Sequence, residues 1–189
     1  GVPLSVWKLD EKYKLGIFEA GISHMGEMEK LQRVIDPNIG VITNIGDAHR
    51  ENFPDDRTKA AEKLKLFINS SVIFYCSDYE IIRELIDSDS NYRTKDLIAW
   101  SLKDDNASIF VQKSQLQSEH TGILLTFKGA KFNFEIPFQD RASVENAITV
   151  TSVCLYLGID RGVIASGLSA LVSVPMRMEM KGGINNCQL

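Results

Sequence analysis

The sequence has few cysteines, and their spacing does not indicate a metal site or a disulfide framework. Cys76, Cys154 and Cys187 are the 3 cysteines among 189 residues, and no two of them form a Cys-x-x-Cys pair. Reduced thiols are typical of proteins from a reducing compartment. We therefore expect a cytoplasmic protein.

Long apolar runs and basic clusters are also missing. No apolar segment approaches the roughly 18 residues that a membrane-spanning helix needs. Lys and Arg total 21 against 25 Asp and Glu, which gives a formal net charge of −4. Because no basic run interleaves with aromatic residues, a nucleic-acid surface is disfavoured. We expect neither a membrane nor a nucleic acid as a partner.

The sequence contains no Gly-Lys-Thr or Gly-Lys-Ser phosphate-binding loop and no initiator methionine. We expect the chain to be a piece of a longer protein. Its length and its 44% of hydrophobic residues are sufficient for one compact unit with a sizeable core.

Short apolar runs alternate with amphipathic segments in the first half of the chain. The predicted strands are residues 15–19, 39–42 and 72–76, and the predicted helices are residues 23–35, 56–68 and 78–86. Ser23 is the predicted cap of the first helix. Strands that alternate with helices predict an α/β fold, with a mostly parallel sheet flanked by helices.

The pattern changes after about residue 91. A small antiparallel insert is predicted over residues 97–137, with a tight turn at residues 128–130 before its last strand. Helices are predicted again at residues 144–157 and 160–171, followed by an extended segment at residues 176–180.

Three polar side chains are predicted at the ends of consecutive strands. Glu19 closes the first predicted strand, and Asn44 and His49 follow the second. In an open parallel sheet, ligands bind at the carboxyl ends of the strands, so these residues are candidates for a functional edge. A solvated or capping carboxylate explains Glu19 equally well, and an ordinary loop histidine is the simpler interpretation of His49.

Lys63 lies at the margin of the apolar face of the predicted helix 56–68, whereas Lys65 points to the opposite side. Lys59 shares the margin with Lys63. Burial lowers the pKa of a lysine and frees the neutral amine, the form that reacts with carbon dioxide to give a carbamate. A surface lysine that extends its ammonium into water is the simpler alternative.

The order and spacing of several short motifs resemble the central ATP-binding domain of the Mur ligase family. The motifs are Glu-Ala-Gly at 19–21, Gly-Glu-Met at 26–28, Thr-Asn at 43–44, Ala-His at 48–49, Ala-Ala-Glu-Lys at 60–63, Asn-Ala-Ile at 146–148 and Arg-Met-Glu at 177–179. Residues 1–5 are similar to the segment that follows the phosphate loop of that family. The resemblance covers most of the chain and is weakest at residues 78–139.

The resemblance implies an activity and its substrates. Such ligases use ATP to phosphorylate the terminal carboxylate of a UDP-muramyl peptide, and an amine then attacks the acyl phosphate to form an amide. The branch of the family that this chain most resembles adds D-alanyl-D-alanine to UDP-N-acetylmuramoyl-tripeptide in peptidoglycan synthesis. The chain is then the ATP-binding domain of a carboxylate–amine ligase.

The resemblance also implies residue roles and a domain organisation. Glu19 and His49 match magnesium ligands, and Lys63 matches a lysine whose carbamate helps to position magnesium and the reacting groups. Asn146 matches a contact of the adenine, Arg177 one of the ribose or the phosphates, and Asn44 lies at the nucleotide edge. Residues 1–180 are the central domain and residues 181–189 the start of the connection to a C-terminal domain. The partners within the longer chain are its N- and C-terminal domains.

The sequence departs from the family at two places besides the phosphate loop. Ala142 and Ser143 stand where relatives often have His-Asn, and residues 76–78 replace the more usual Asn-Ala-Asp. Two alternatives stay open: a ligase of the folylpolyglutamate or cyanophycin type, and a non-catalytic nucleotide-binding scaffold. We expect the chain alone to fold without catalysing the reaction.

Overall fold

The computed structural model describes residues 1–46, 48–115 and 120–172. Its six strands form one sheet in the order in which they occur along the chain. They are β1 (Ile39–Val41), β2 (Val72–Cys76), β3 (Asp96–Ser101), β4 (Ile109–Gln115), β5 (Thr121–Phe127) and β6 (Ala130–Ile136). Neighbouring strands from β1 to β4 are parallel, and those from β4 to β6 are antiparallel. The predicted α/β class is confirmed.

Seven α-helices accompany the sheet within the described residues. They are α1 (Val2–Val6), α2 (Glu27–Ile35), α3 (Asp56–Leu64), α4 (Glu80–Ser88), α5 (Ser90–Arg93), α6 (Arg141–Tyr156) and α7 (Arg161–Ser169). Short 3₁₀ turns at Arg50–Asn52 and Lys65–Phe67 precede and extend α3. In the described part of the chain, no helix is both long and apolar enough to cross a membrane.

The antiparallel strands continue the parallel sheet rather than forming a separate layer. β3 pairs in parallel with both β2 and β4, so antiparallel pairing begins at β4 instead of at residue 97. The turn between β5 and β6 is formed by Lys128 and Gly129, both with positive φ, as a two-residue hairpin of primed type requires.

Strand β2, the second in the sheet, is buried on both faces and separates two apolar cores. Val72, Phe74 and Cys76 pack into a core shared with β3 to β6, α6 and α7. Ile73 and Tyr75 point to the other face, into a core shared with α2, α3 and α4. This continuous apolar run is typical of a parallel strand that is covered by helices on both sides. The second core underlies the candidate site.

The prediction of a strand at residues 15–19 is wrong. Within the described residues this segment has no regular structure, and Leu15 and Ile17 are 58% and 87% exposed. A strand needs the hydrogen bonds of a neighbouring strand, and the only strand that pairs with β1 in the described sheet is β2. The apolar character of the segment was not sufficient to predict such a partner.

The helix predicted from residue 23 begins at Glu27 instead, and Ser23 is not its cap. Gly26 takes that position with φ of 81°, in the left-handed region. The Glu27 carboxylate accepts hydrogen bonds from the backbone N–H groups of Ser23 and His24, at 2.6 and 2.9 Å. These bonds hold residues 23–26 in a turn and delay the start of the helix. The predicted segment 176–180 lies outside the described residues.

Candidate functional site

The candidate site lies at the carboxyl end of β1, where the chain leaves the sheet. Residues 42–46 run from the end of β1 toward α3, and Asn44 is half-buried there. α3 begins after an N-terminal cap in which the Asp55 side chain accepts a hydrogen bond from the Thr58 N–H at 2.6 Å. This cap fixes the start of the helix, and its next turns face the loop.

Lys63 on α3 reaches back to the loop after β1. Its Nζ donates hydrogen bonds to the carbonyl oxygens of Asn44 at 2.6 Å and Ile45 at 3.1 Å. Burial, with a smaller contribution from the charge of Lys59, lowers the pKa of Lys63 to about 8. Near pH 8 about half of this amine is therefore neutral.

A small cavity of about 80 Å³ opens beside Lys63. It is lined by Ala20, Met28, Val41, Ile42, Thr43, Asn44, Lys63, Leu66 and Phe67. This volume admits water or a small ion but not a nucleotide. A nucleotide would therefore have to lie across the carboxyl ends of the strands, and only a part of it would reach this cavity.

Lys59 lies one turn before Lys63 and is the more deeply buried of the two, with 1% of its surface exposed. Its Nζ donates hydrogen bonds to the carbonyl oxygens of Gly46 and Ala48. The ammonium also lies 5.8 Å from the centre of the Phe53 ring. Two lysines at positions i and i+4 thus hold successive parts of one loop.

Glu62 connects the same helix to the segment that follows Glu19. It is fully buried, and its carboxylate accepts hydrogen bonds from the N–H groups of Gly26 at 2.7 Å and Met28 at 3.3 Å. Lys65 forms an ion pair with its other oxygen at 2.7 Å. A carboxylate at the N-terminus of α2 satisfies free N–H groups and interacts favourably with the helix dipole.

The predicted site residues are only partly brought together. Lys63 and Asn44 line one cavity, together with Ala20, the neighbour of Glu19. Glu19 and His49 are exposed and do not line it. His49 has φ of 59°, an uncommon conformation for a residue other than glycine.

The remaining two predicted contacts are Asn146 and Arg177. Asn146 is exposed on α6, and Arg177 lies outside the described residues. Residue 47, which stands between the two residues whose carbonyls Lys59 contacts, is outside the described residues as well. Among the residues that the structure describes, no three His, Cys, Asp or Glu side chains form a group that could hold a metal ion.

A second cavity, of about 260 Å³, lies at the carboxyl ends of β2 and β3 and the start of α6. Its lining residues are Asp78, Leu102, Lys103, Lys113, Arg141, Val144 and Glu145. Glu145 accepts hydrogen bonds of 2.6 Å from both the Tyr79 hydroxyl and Arg141 Nε. Glu145 directly precedes Asn146 in the sequence, so this network lies beside the predicted adenine contact.

Sequence reasoning missed the roles of Glu62 and Lys59. A signal was present for both, because each is a charged residue on the side of α3 that faces the apolar core. A charge at such a position needs a polar partner. The partners are backbone groups of distant loops, which no periodicity in the sequence identifies.

Comparison with known proteins gives a family match. The family model described as the Mur ligase middle domain matches residues 1–154. The UDP-N-acetylmuramoyl-tripeptide–D-alanyl-D-alanine ligase of Bacillus subtilis (strain 168) is 30% identical over 185 residues, which are 95% of this chain and 38% of that protein. The ligase of the same name from Borreliella burgdorferi is 28% identical over 171 residues, 89% of this chain and 35% of that protein.

Solved structures with the same fold agree with this match. A crystal structure of MurF from Acinetobacter baumannii has a TM-score of 0.81 at 18% identity and covers 97% of this chain, which corresponds to 40% of that protein. MurF ligase from Thermotoga maritima, in complex with ADP, has a TM-score of 0.67 at 17% identity over 84% of this chain and 36% of that protein. The chain thus spans about two fifths of the length of these relatives.

Proposed function

The chain belongs to the Mur ligase family through its middle domain, and on that premise we propose that it is the ATP-binding domain of a ligase that joins D-alanyl-D-alanine to UDP-N-acetylmuramoyl-tripeptide. Two relatives whose names state this reaction support the proposal, because each aligns with at least 89% of the chain. We propose further that the reaction takes place in the cytoplasm, where ATP is available.

One observation carries the assignment of the site. Lys63, with a pKa lowered to about 8, lies in a cavity at the carboxyl end of β1 and contacts the Asn44 backbone. This is the edge of a parallel sheet at which ligands bind. A lysine with a substantial neutral fraction can react with carbon dioxide, and the resulting carbamate is an oxygen donor with a negative charge.

The donor groups near this edge suit magnesium in part. Glu19 offers a carboxylate and a carbamate on Lys63 a second one, which are the oxygen ligands that magnesium prefers, whereas the imidazole of His49 is a less typical donor. We propose that these three residues hold the ion. When bound, magnesium neutralises charge on the phosphates during the transfer.

The residues of this chain act by binding and orienting. In the proposed reaction an oxygen of the tripeptide carboxylate attacks the γ-phosphorus of ATP and ADP leaves. The amine of D-alanyl-D-alanine then attacks the acyl carbon, loses a proton and displaces phosphate. We propose that Asn146 contacts the adenine, Arg177 the ribose or phosphates, and Asn44 the nucleotide at the sheet edge.

The domain organisation is part of the same proposal. Residues 1–180 form the central domain, and residues 181–189 begin the connection to a C-terminal domain. Relatives more than twice as long support further domains in the longer protein. We propose that the longer protein supplies the phosphate loop outside residues 1–189, and that its further domains supply the binding surfaces for the UDP-muramyl peptide and for the dipeptide.

Phosphate release by the full-length protein tests the function. The assay contains ATP, magnesium and UDP-N-acetylmuramoyl-tripeptide, with and without D-alanyl-D-alanine. Release that requires both substrates supports the proposal. If release occurs with a folate or another peptide acceptor instead, the chain belongs to a different branch of the ligases. If purified, folded protein releases no phosphate with any acceptor, a non-catalytic scaffold is the better interpretation.

A further inference from the structure

The loop that carries His49 is held by a lysine that does not reach the cavity. Lys59 donates to the carbonyl oxygens of Gly46, at 2.9 Å, and Ala48. These two carbonyls flank residue 47, so one ammonium binds the backbone on both sides of it. On the basis of the function proposed above, we infer that Lys59 is a positioning residue that fixes the loop presenting His49 to the bound nucleotide and metal.

The backbone of this loop requires support from its surroundings. Gly46 has φ of 61° and His49 has φ of 59°. For a residue with a side chain, the left-handed region costs on the order of 1 kcal/mol and persists where neighbouring structure enforces it. The His49 carbonyl then accepts a hydrogen bond from the Asn52 N–H at 3.1 Å, and the Arg50 carbonyl accepts one from Phe53 at 3.2 Å. The Lys59 contacts hold the loop immediately before this turn.

Lys63 and Lys59 on α3 contact different parts of the loop after β1. Lys63 donates hydrogen bonds to the carbonyls of residues 44 and 45 and lines the cavity, so a ligand in the cavity would touch this side chain. Lys59 does not line the cavity and is 1% exposed. Its described hydrogen bonds all go to the loop. Lys59 therefore acts on the site through the backbone and not by touching the substrate.

The chain offers a matched control in Lys95. Its Nζ also donates to two loop carbonyls, those of Ile68 and Ser70, both at 2.7 Å. Ile68 and Ser70 precede β2, and Lys95 directly precedes β3, so this contact lies at the amino ends of the strands, whereas the candidate site lies at the carboxyl end of β1. Replacement of Lys95 by methionine removes the same kind of contact without touching the candidate site.

The experiment compares Lys59→Met and Lys95→Met in the full-length protein. Methionine retains most of the apolar stem, so we expect both variants to fold with melting temperatures within a few degrees of wild type. For Lys59→Met we expect kcat to fall about 10- to 100-fold and half-saturating magnesium to rise about 10-fold. We expect KM for D-alanyl-D-alanine to stay within about twofold of wild type, because the proposed binding surface for the dipeptide lies outside this loop. We expect Lys95→Met to match wild type in all of these measurements.

Hydrogen exchange gives a measurement that does not depend on the activity. We expect the Asn52 and Phe53 amides to exchange faster in Lys59→Met and at the wild-type rate in Lys95→Met. If Lys59→Met does not fold, Lys59→Arg replaces it, with a smaller loss in kcat because charge and donors are retained.

Two results overturn the inference. One is a kcat and magnesium dependence of the Lys59 variant equal to those of Lys95→Met; the other is unchanged exchange at Asn52 and Phe53. If wild type itself shows no ligase turnover, the proposed function fails, and the exchange rates alone decide whether Lys59 positions the loop.

Discussion

At the scale of single residues, the chemistry of Lys63 depends strongly on its surroundings. Its contacts with the carbonyls of Asn44 and Ile45 favour the ammonium, whereas burial and the nearby charge of Lys59 disfavour it. The net result is a pKa lowered to about 8. The side chain therefore changes between its cationic and neutral forms within the pH range of an ordinary enzyme assay.

Replacement of Lys63 tests its role in the reaction. In the full-length protein we expect Lys63→Ala to lower kcat by about 100-fold or more, the magnitude typical of losing one electrostatic contact in a transition state. Lys65→Ala, in the 3₁₀ turn after α3 and outside the cavity lining, is the control and should retain most of the activity. Carbon-13 NMR in labelled bicarbonate should give a carbamate signal in wild type and none in Lys63→Ala. Unchanged turnover in Lys63→Ala rules out the carbamate as a required group.

The lowered pKa of Lys63 also predicts a dependence of stability on pH. Folding disfavours the protonated form of Lys63, so its burial lowers the stability of the folded state in full below pH 8. This loss of stability disappears as the pH rises from about 8 to 10.5, the ordinary pKa of a lysine. We therefore expect the melting temperature of wild type, relative to Lys63→Met, to rise between pH 8 and pH 10. A difference that is constant over this range contradicts the lowered pKa.

Residue-level prediction from the sequence succeeded where a helical wheel applies and failed where the partner is distant. The wheel placed Lys63 and Lys59 together at the margin of the apolar face of the helix, which agrees with their shared orientation toward one loop. It did not indicate that Lys59 is the more deeply buried, because the carbonyls of Gly46 and Ala48 cover it only after the loop has folded.

At the scale of elements, α3 connects two separate parts of the chain, the N-terminus of α2 and the loop after β1. Glu62 binds the N-terminus of α2, and the two lysines bind the loop after β1. We expect Glu62→Ala to lower the free energy of unfolding by about 2 kcal/mol, because the Gly26 and Met28 N–H groups lose their acceptor. We expect Glu62→Gln to cost less, since its amide oxygen still accepts.

Urea unfolding of these variants measures the effect, with Lys65→Met as the control. Lys65 is 44% exposed, so its ion pair with Glu62 is screened by water and its loss should cost less than about 1 kcal/mol. A Glu62→Ala variant as stable as Lys65→Met shows that the cap of α2 is not a significant source of stability.

Strand β1 approaches the turn after α3 so closely that it requires glycine. A Cβ at Gly40 would lie 2.6 Å from atoms of the Phe67 ring. We expect Gly40→Ala to destabilise the protein by about 1–3 kcal/mol through overpacking. The control is Gly167→Ala in α7, where a Cβ meets nothing within 4 Å. That helix position should gain about 0.5–1 kcal/mol, so the two alanine variants should move the urea midpoint in opposite directions.

At the scale of the whole molecule, the alternation of apolar runs and amphipathic segments was sufficient to predict the α/β class. The strands that were predicted correctly, such as β1 and β2, have neighbours within the described sheet. Residues 15–19 have a similar apolar pattern but no described partner, so they form no strand. Strand pairing depends on residues that are distant in the sequence. A local apolar pattern therefore shows that a segment could form a strand, but not that a partner strand is available to it.

The two-sided core also predicts how the chain behaves when residues 1–189 are produced alone. Both faces of β2 are buried by helices or strands of this chain, so we expect a single cooperative unfolding transition. Trp100 is 1% exposed and donates a hydrogen bond to Thr149, whereas Trp7 is 85% exposed. In a Trp7→Phe variant the fluorescence therefore reports the core alone.

We expect this isolated chain to release no phosphate from ATP with the tripeptide and the dipeptide, because it contains no Gly-Lys-Thr or Gly-Lys-Ser loop to hold the β- and γ-phosphates. The full-length protein is the positive control in the same assay. If the folded chain alone carries out the reaction, the phosphates are held by groups within it, and the domain organisation proposed above is wrong. If Trp100 fluorescence shows no cooperative transition, the core requires contacts with the rest of the longer protein, and the missing activity then reflects an unfolded domain rather than a missing loop.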